Sequence, residues 1–518
     1  MTNPSLALAG HPIRLWFGFI VMCVGMFMAI LDIQIVATSL PTIQASLGVA
    51  PDQMSWVQTA YLIAEVIAIP LTGVLTRAFT MRWLFVGAVT VFSIASLGCA
   101  LSQDFESLIF WRVIQGFSGG TLIPAVFSAV FIMFPERRQA VATTIAGVVA
   151  VMAPTVGPIV GGWITQTYSW HWLFLINLAP GVICALTAVF LLPREKPDPA
   201  QIRRLDFVAL VLMAVALAAL ELALKEAPQR GWASPLVVGL GALSLASGVS
   251  FVRRSFGRRT PVVELRTLKN RTFAVGCILS FVLGIGLFGS VYLMPVFLAF
   301  VRGHGPLAIG SIMLVTGLAQ LAAAPVAVAM EKRLDARLLT GVGFAMFAVG
   351  LGMSAFQTTE TDFDQMLWPQ IVRGAAIMLC LLPPTRLALG NLSLAQVPDA
   401  SGLFNLMRNL GGAIGLALID TVIYGRAPVL GQQIVSRLQA GDTETAQALG
   451  IPLAVFTSRM GQPIDAATTA ALTPLIEKLA LTRAINEAWL LIAVLTILAL
   501  CTVPFARPGS TTAARTST

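Results

Sequence analysis

Charge is scarce in this 518-residue chain: 11% of its residues are Asp, Glu, Lys or Arg, against roughly 25% in a soluble globular protein. Histidine is scarcer still, with three scattered residues that form no ligand set. The six cysteines (Cys23, Cys99, Cys184, Cys277, Cys380 and Cys501) lie in or beside apolar runs and contain no CxxC pair. They read as free core thiols, so no metal, no cofactor and no disulfide framework is expected. The absence of a GxxxxGK[ST] loop argues against ATP-driven work by this chain alone. Ten-residue alternating strands, the mark of a β-barrel, are missing too. No cleavable signal peptide is expected, because the apolar stretch Leu15–Leu40 is too long for an h-region and holds an Asp.

What is abundant is apolar length: 57% of the chain is hydrophobic. A helix crosses the ~30 Å hydrocarbon core with about 20 mostly apolar residues. Lipid offers the backbone no hydrogen-bond partner, so each such run must be a helix. The pattern predicts an all-α membrane protein with about fourteen spans: 15–41, 55–76, 83–102, 106–131, 139–164, 170–192, 206–225, 233–252, 272–300, 306–330, 338–357, 365–385, 400–425 and 484–505. An even count puts both termini on one side. With the termini cytoplasmic, the inner segments collect 22 of the 33 Lys and Arg residues, which fits the positive-inside rule. The net charge of +9 is therefore a topology signal, and nucleic acid is not an expected partner.

The expected organisation is a cytoplasmic N-terminus (1–14), a six-helix bundle (15–192), basic linkers around two central helices (193–271), a second six-helix bundle (272–505) and a cytoplasmic tail (506–518). The first linker carries Arg203 and Arg204; the second carries Arg253, Arg254, Arg258 and Arg259. Within the second bundle, 426–483 is a long outer loop whose apolar and small residues suit amphipathic helices on the outer surface and a partner-docking role.

Charges inside spans cost roughly 2.5–3.5 kcal/mol each on insertion scales, so they mark candidate sites. Asp32, Glu65 and Arg112 fall about 13, 15 and 9 Å from the outer ends of their spans at ~1.5 Å per residue. An Arg and burial act on a carboxyl in opposite senses, so alternating water access would switch its proton occupancy. The rival reading is a static ion pair that fixes packing. Arg373 and Arg408 are also deep, whereas Glu221 and Asp420 lie nearer the outer ends, where a long side chain reaches water. All four are candidate cargo or coupling residues.

The run from Ala153 to Gly162 places Pro154, Gly157, Pro158, Gly161 and Gly162 in one span, which favours close helix contact and a hinge or seal. Gly116-Phe117-Ser118-Gly119-Gly120 matches the G-x-S-x-G pattern of a hydrolase elbow, but lies inside an apolar run rather than a strand–turn–helix. An intramembrane hydrolase using Ser118 is the remote alternative.

Together these motifs resemble the major facilitator superfamily, in particular its fourteen-span drug:proton antiporters of the EmrB/QacA type. Leu31-Asp32-Ile33-Gln34-Ile35-Val36-Ala37-Thr38-Ser39-Leu40-Pro41 resembles the acidic first-span motif. Leu108 to Gly116 resembles the fourth-span motif whose Arg is tied to proton transfer, and Ala153–Gly162 the antiporter motif of exporters. Trp170–Pro180 and the Arg408 segment are similar to that subfamily as well. The loop after the second span departs from the usual G-x-L-A-D-R-x-G-R-R: from Gly73 to Arg82, Arg77 stands where Asp is usual and Thr80 where Gly is usual. That disfavours the usual inner-gate salt bridge and points toward the EmrB-like branch.

The resemblance implies two six-helix bundles with a midplane cavity and alternating access. It implies proton-coupled efflux of small amphipathic or lipophilic compounds across the inner membrane, with Asp32 as the proton site and Arg112 modulating it. It also implies a periplasmic adaptor and an outer-membrane channel as partners. The same-fold alternative is a carrier for a dedicated metabolite such as a siderophore or lipid.

Overall fold

A computed structural model describes residues 12–48, 56–195, 197–198, 206–258, 261–331, 333–390, 392–458 and 466–506. Residues 1–11 of the expected N-terminal segment, Arg203, Arg204, Arg259, part of the long outer loop (459–465) and the tail from 507 lie outside the described residues. The described residues contain no strand.

The main helices are α1 (Pro12–Leu47), α2 (Trp56–Ala68), α3 (Thr72–Ala100), α4 (Phe105–Met133), α5 (Glu136–Thr167) and α6 (Leu178–Leu191). There follow α7 (Phe207–Arg230), α8 (Pro235–Gly257), α9 (Arg271–Phe300) and α10 (Pro306–Glu331). The last four are α11 (Ala336–Met353), α12 (Phe363–Leu389), α13 (Val397–Gln439) and α14 (Ala466–Leu500). Small polar residues at the membrane surface start several of them by accepting the first orphan N–H groups. Asp104 accepts from the Ser107 N–H at 2.8 Å, and Asn270 from the Thr272 N–H at 3.0 Å. Asp362 forms a capping box with Gln365 at the head of α12.

Among the described residues, thirteen helical stretches are long and apolar enough to cross a membrane, so the expected count of fourteen is not confirmed. The difference lies in 55–76 and 83–102, expected as two spans, which form one helical stretch from Trp56 to Ala100. Its 45 residues would run ~68 Å at 1.5 Å per residue, about twice the hydrocarbon core. The stretch breaks at Thr80, whose φ of 73° and ψ of 158° are not helical.

Helices α1–α6 pack on one another, and α9–α14 repeat the same pairings: α1 with α5 and α9 with α13, α2 with α4 and α10 with α12, α3 with α6 and α11 with α14. This is a parallel internal repeat of two six-helix groups. Helices α7 and α8 form a hairpin whose α7 lies against α2 and α13. At its turn Lys225 sits 4.4 Å over the Trp56 ring and the Trp232 indole donates to Thr421 at 3.0 Å, so the hairpin touches both groups. At the open end of the hairpin Arg254 donates to Asp206 at 2.7 Å, which holds the Asp206 carboxyl below the ordinary carboxylate range.

The long outer segment is not a loop at its base. Helix α13 has 43 residues, ~64 Å, far more than a ~30 Å core requires. Its outer end meets the start of α14 in a small apolar cluster of Leu430, Ile434, Leu449, Leu479, Ala480 and Ala484. Two short helices, Thr443–Ala448 and Leu453–Ser458, cap this projection.

Candidate functional site

Three helices of the first bundle converge on Asp32. Helix α1 carries Asp32, α4 carries Arg112 and Gln115 one turn apart, and Asn177 stands at the N-terminus of α6. Arg112 donates to and forms an ion pair with Asp32, and both side chains are fully buried. Asp32 also accepts from Gln115 at 3.0 Å and Asn177 at 2.8 Å. Gln115 in turn donates to Ser96 at 2.7 Å and accepts from Arg112 at 2.7 Å. The Arg112 Nε donates to the Val57 carbonyl at 3.0 Å, and its guanidinium lies 4.3 Å from the Tyr61 ring. One carboxylate therefore ties three elements together, and losing one partner of such a buried pair costs about 3–5 kcal/mol.

Glu65 is buried on α2 but outside this hydrogen-bonded set. It is within electrostatic range of Arg112, Glu221 on α7 and Arg408 on α13. Arg408 donates to Asn405 at 2.5 Å and lies 5.5 Å from the Phe127 ring across the seam between bundles. Asp420 accepts from the Tyr292 hydroxyl at 2.7 Å and joins none of these groups. Arg373 lies in the interior of the second bundle, where its guanidinium is 5.1 Å from the Trp489 ring.

Arg77 donates to and pairs with Asp399, in the first turn of α13, so a salt bridge joins the two bundles. A Cβ on Gly73 would run into the Asp399 carboxylate, so glycine is what lets α3 approach this closely. Ser401 donates to the Pro124 carbonyl at 2.9 Å beside it. Arg82 does not take part; its guanidinium lies 5.2 Å from the Trp83 ring. The sequence named Arg77 but not its acid, which sits 322 residues away.

The Pro/Gly run stays within one continuous helix, α5, at the seam between bundles. Gly157 faces Gln34 of α1, two residues from Asp32. On the opposite side Thr155 packs against Gly317 and Ile159 against Gly310 of α10. Pro158, Gly161 and Gly162 are buried, and Pro154 is half-buried.

Residues 22–416 match the sequence profile of the Major Facilitator Superfamily. The chain belongs to that superfamily. It is 40% identical over 408 residues to the colistin resistance protein EmrB of Acinetobacter baumannii, covering 78% of this chain and 80% of that one. It is 31% identical over 399 residues to the fatty acid resistance protein FarB of Neisseria gonorrhoeae, covering 76% and 78%. It is also 31% identical over 406 residues to the multidrug export protein EmrB of Escherichia coli K12, covering 78% and 79%. Among solved structures, the human organic anion transporter MFSD10 superposes with a TM-score of 0.61 at 13% identity, covering 95% of this chain and all of that one, a likeness of fold alone. This major facilitator is an EmrB-like permease: a transporter embedded in a membrane, not an enzyme.

The hydrolase alternative thus falls, and the geometry around Ser118 gives the physical reason. Its hydroxyl donates to the carbonyls of Ile114 and Gln115 in its own helix, at 3.0 and 2.9 Å. The glycines of the motif serve packing: side chains at Gly116 and Gly120 would strike the backbone of α2 at Tyr61 and Glu65. Sequence reasoning counted charges within spans and so overlooked Gln115, Asn177 and Ser96. The signal that finds them is the same one, a polar side chain in an apolar run, extended to neutral groups.

Proposed function

We propose that this major facilitator exports small amphipathic or lipophilic compounds across the inner membrane, both termini cytoplasmic, in exchange for protons. The printed names of its relatives, which speak of multidrug export and of resistance to colistin and to fatty acids, support a cargo of that kind. The observation that carries the mechanism is the Asp32 cluster: one buried carboxylate held by three donors from two other elements.

A carboxylate accepts only, whereas a protonated carboxyl must donate with one oxygen. Protonation of Asp32 removes the charge that holds Arg112, Gln115 and Asn177 and adds a donor among them, which loosens α1 against α4 and α6. Gln34, on the same helix, transmits that change to Gly157 in the Pro/Gly helix, whose opposite side packs on α10 of the second bundle. Arg77–Asp399 with Gly73 forms the inner gate, which must part when the cargo site opens inward. Glu65, Glu221 and Arg408 line the seam where cargo would pass. Dye efflux from energised cells tests this. Wild type should expel ethidium, and both Asp32→Asn and a protonophore should abolish that. Efflux untouched by Asp32→Asn would remove Asp32 from the mechanism.

The projection formed by the ends of α13 and α14 is the surface for a periplasmic adaptor feeding an outer-membrane channel. Removing 440–465 should leave efflux intact in spheroplasts and abolish protection in whole cells. Equal loss in both would show that the projection serves folding instead.

A further inference from the structure

The two bundles carry the same device in opposite states of completion. In α4, Arg112 and Gln115 stand eight and eleven residues after the capping Asp104, and Gly116 follows. In α12, Gln370 and Arg373 stand eight and eleven residues after the capping Asp362, and Gly374 follows. The glycines fix the register: Gly116 abuts the Tyr61 carbonyl of α2, and Gly374 the Thr316 carbonyl of α10, the matching helix. Each bundle thus presents an Arg/Gln pair to its interior at the same level, with the order exchanged.

Their neighbours differ. In the first bundle α1 supplies Asp32 and the α6 terminus supplies Asn177. In the second, α9 supplies Met294, whose sulfur lies 3.4 Å from Arg373 Nη2, and α14 supplies Trp489. Among the described residues no acidic side chain acts on Arg373. Its one other side-chain hydrogen bond among the described residues is a long one, Nη1 to Ser354 at 3.5 Å. Its Nε, the Trp489 indole N–H and the Gln370 amide N–H group have no hydrogen-bond partner among the described residues. These side chains are 2%, 0% and 1% exposed. Gln370 keeps its oxygen occupied by Thr316 at 3.1 Å, so only donors are left over.

An unpaired guanidinium in a low-dielectric interior is strongly destabilising, and an aromatic face offsets it only in part. One unsatisfied donor on the Arg373 cation, with two more on the neutral Trp489 and Gln370 side chains of the same bundle, suits an anion. The enclosure of the group by an indole and a thioether suits a small one, not an organic acid. We propose that Arg373, Trp489 and Gln370 bind a monovalent anion of the halide class inside the second bundle, where the first bundle uses the carboxylate of Asp32. The bound anion would lock α9, α12 and α14 together as Asp32 locks α1, α4 and α6. This rests on the geometry of the second bundle and not on the efflux reading, so either can fail without the other.

The test is thermal unfolding of the full-length protein in detergent, in sodium chloride against sodium gluconate at equal ionic strength, with sodium acetate as a third arm. Wild type should melt higher in chloride, with a saturable midpoint. Arg373→Gln should lose the difference between salts. Trp489→Phe keeps an aromatic face and deletes one donor, so it should fold and weaken the chloride midpoint at least threefold; it decides the matter if Arg373→Gln does not fold. Stabilisation by acetate but not chloride would overturn the halide assignment in favour of a carboxylate ligand. Equal melting of wild type in chloride and gluconate, or a chloride response unchanged in Trp489→Phe, would overturn the site altogether.

Discussion

Neutralising either end of the Arg77–Asp399 pair removes a tie between the two bundles. Arg77 is 34% exposed and Asp399 11%. The cost therefore falls between the ~0–1 kcal/mol of a surface pair and the ~3–5 kcal/mol of a broken buried one. A value of about 1.5 kcal/mol corresponds to roughly a tenfold shift in the ratio of inner-open to inner-closed molecules. Ser401 is fully buried at this seam, so a cysteine placed there reports opening through its reaction with an impermeant thiol reagent in inside-out vesicles. Arg77→Gln and Asp399→Asn should each raise that rate about tenfold above the native-cysteine background. The double variant should gain little more, because the interaction can be lost only once. Asp399→Asn should be slightly the worse single change, since an acid in the first turn of α13 also gains ~0.3–1 kcal/mol from the helix dipole. Rates that multiply to about a hundredfold in the double variant, or that do not change at all, would refute the gate.

Two further outcomes follow from local chemistry. Thr80 is a β-branched residue held at φ 73°, a strain of about 1–3 kcal/mol; Thr80→Gly should relieve it, less ~0.5–1 kcal/mol of glycine entropy, and so raise the melting temperature by a few degrees. At the head of α12 burial pushes the Asp362 carboxyl up, but hydrogen bonds from Arg302 and His304 outweigh it and hold it below the ordinary carboxylate range. A group with a depressed folded value stabilises above its unfolded value and loses that contribution as pH falls through the folded one. Asp362→Asn should therefore lower the melting temperature at pH 7 and make no difference well below pH 4, and an equal effect at both would show that charge plays no part there.

The sequence by itself determined the class of molecule. Uninterrupted apolar runs allow only helices in lipid, and the distribution of Lys and Arg orients them. It also exposed Asp32 and Arg112, because a charge in such a run has no cheap explanation. What it did not reveal was company. Asp32 meets Asn177 from 145 residues away, and Arg77 meets Asp399 from 322 away, so the reversed charge in the inner loop regains an opposite partner across the bundles. The expected outer loop became two helical extensions because Leu430, Ile434 and Leu479 bury one another, a pairing no single stretch announces. Arg373 is the sharpest case: in the sequence it looks equivalent to Arg112, and only packing shows that one faces a carboxylate and the other a thioether and an indole. Backbone solvation and hydropathy are local, so the chain declares its helices residue by residue. Charge compensation in a membrane interior is a property of which helix faces which, and that was decided only when the bundles closed.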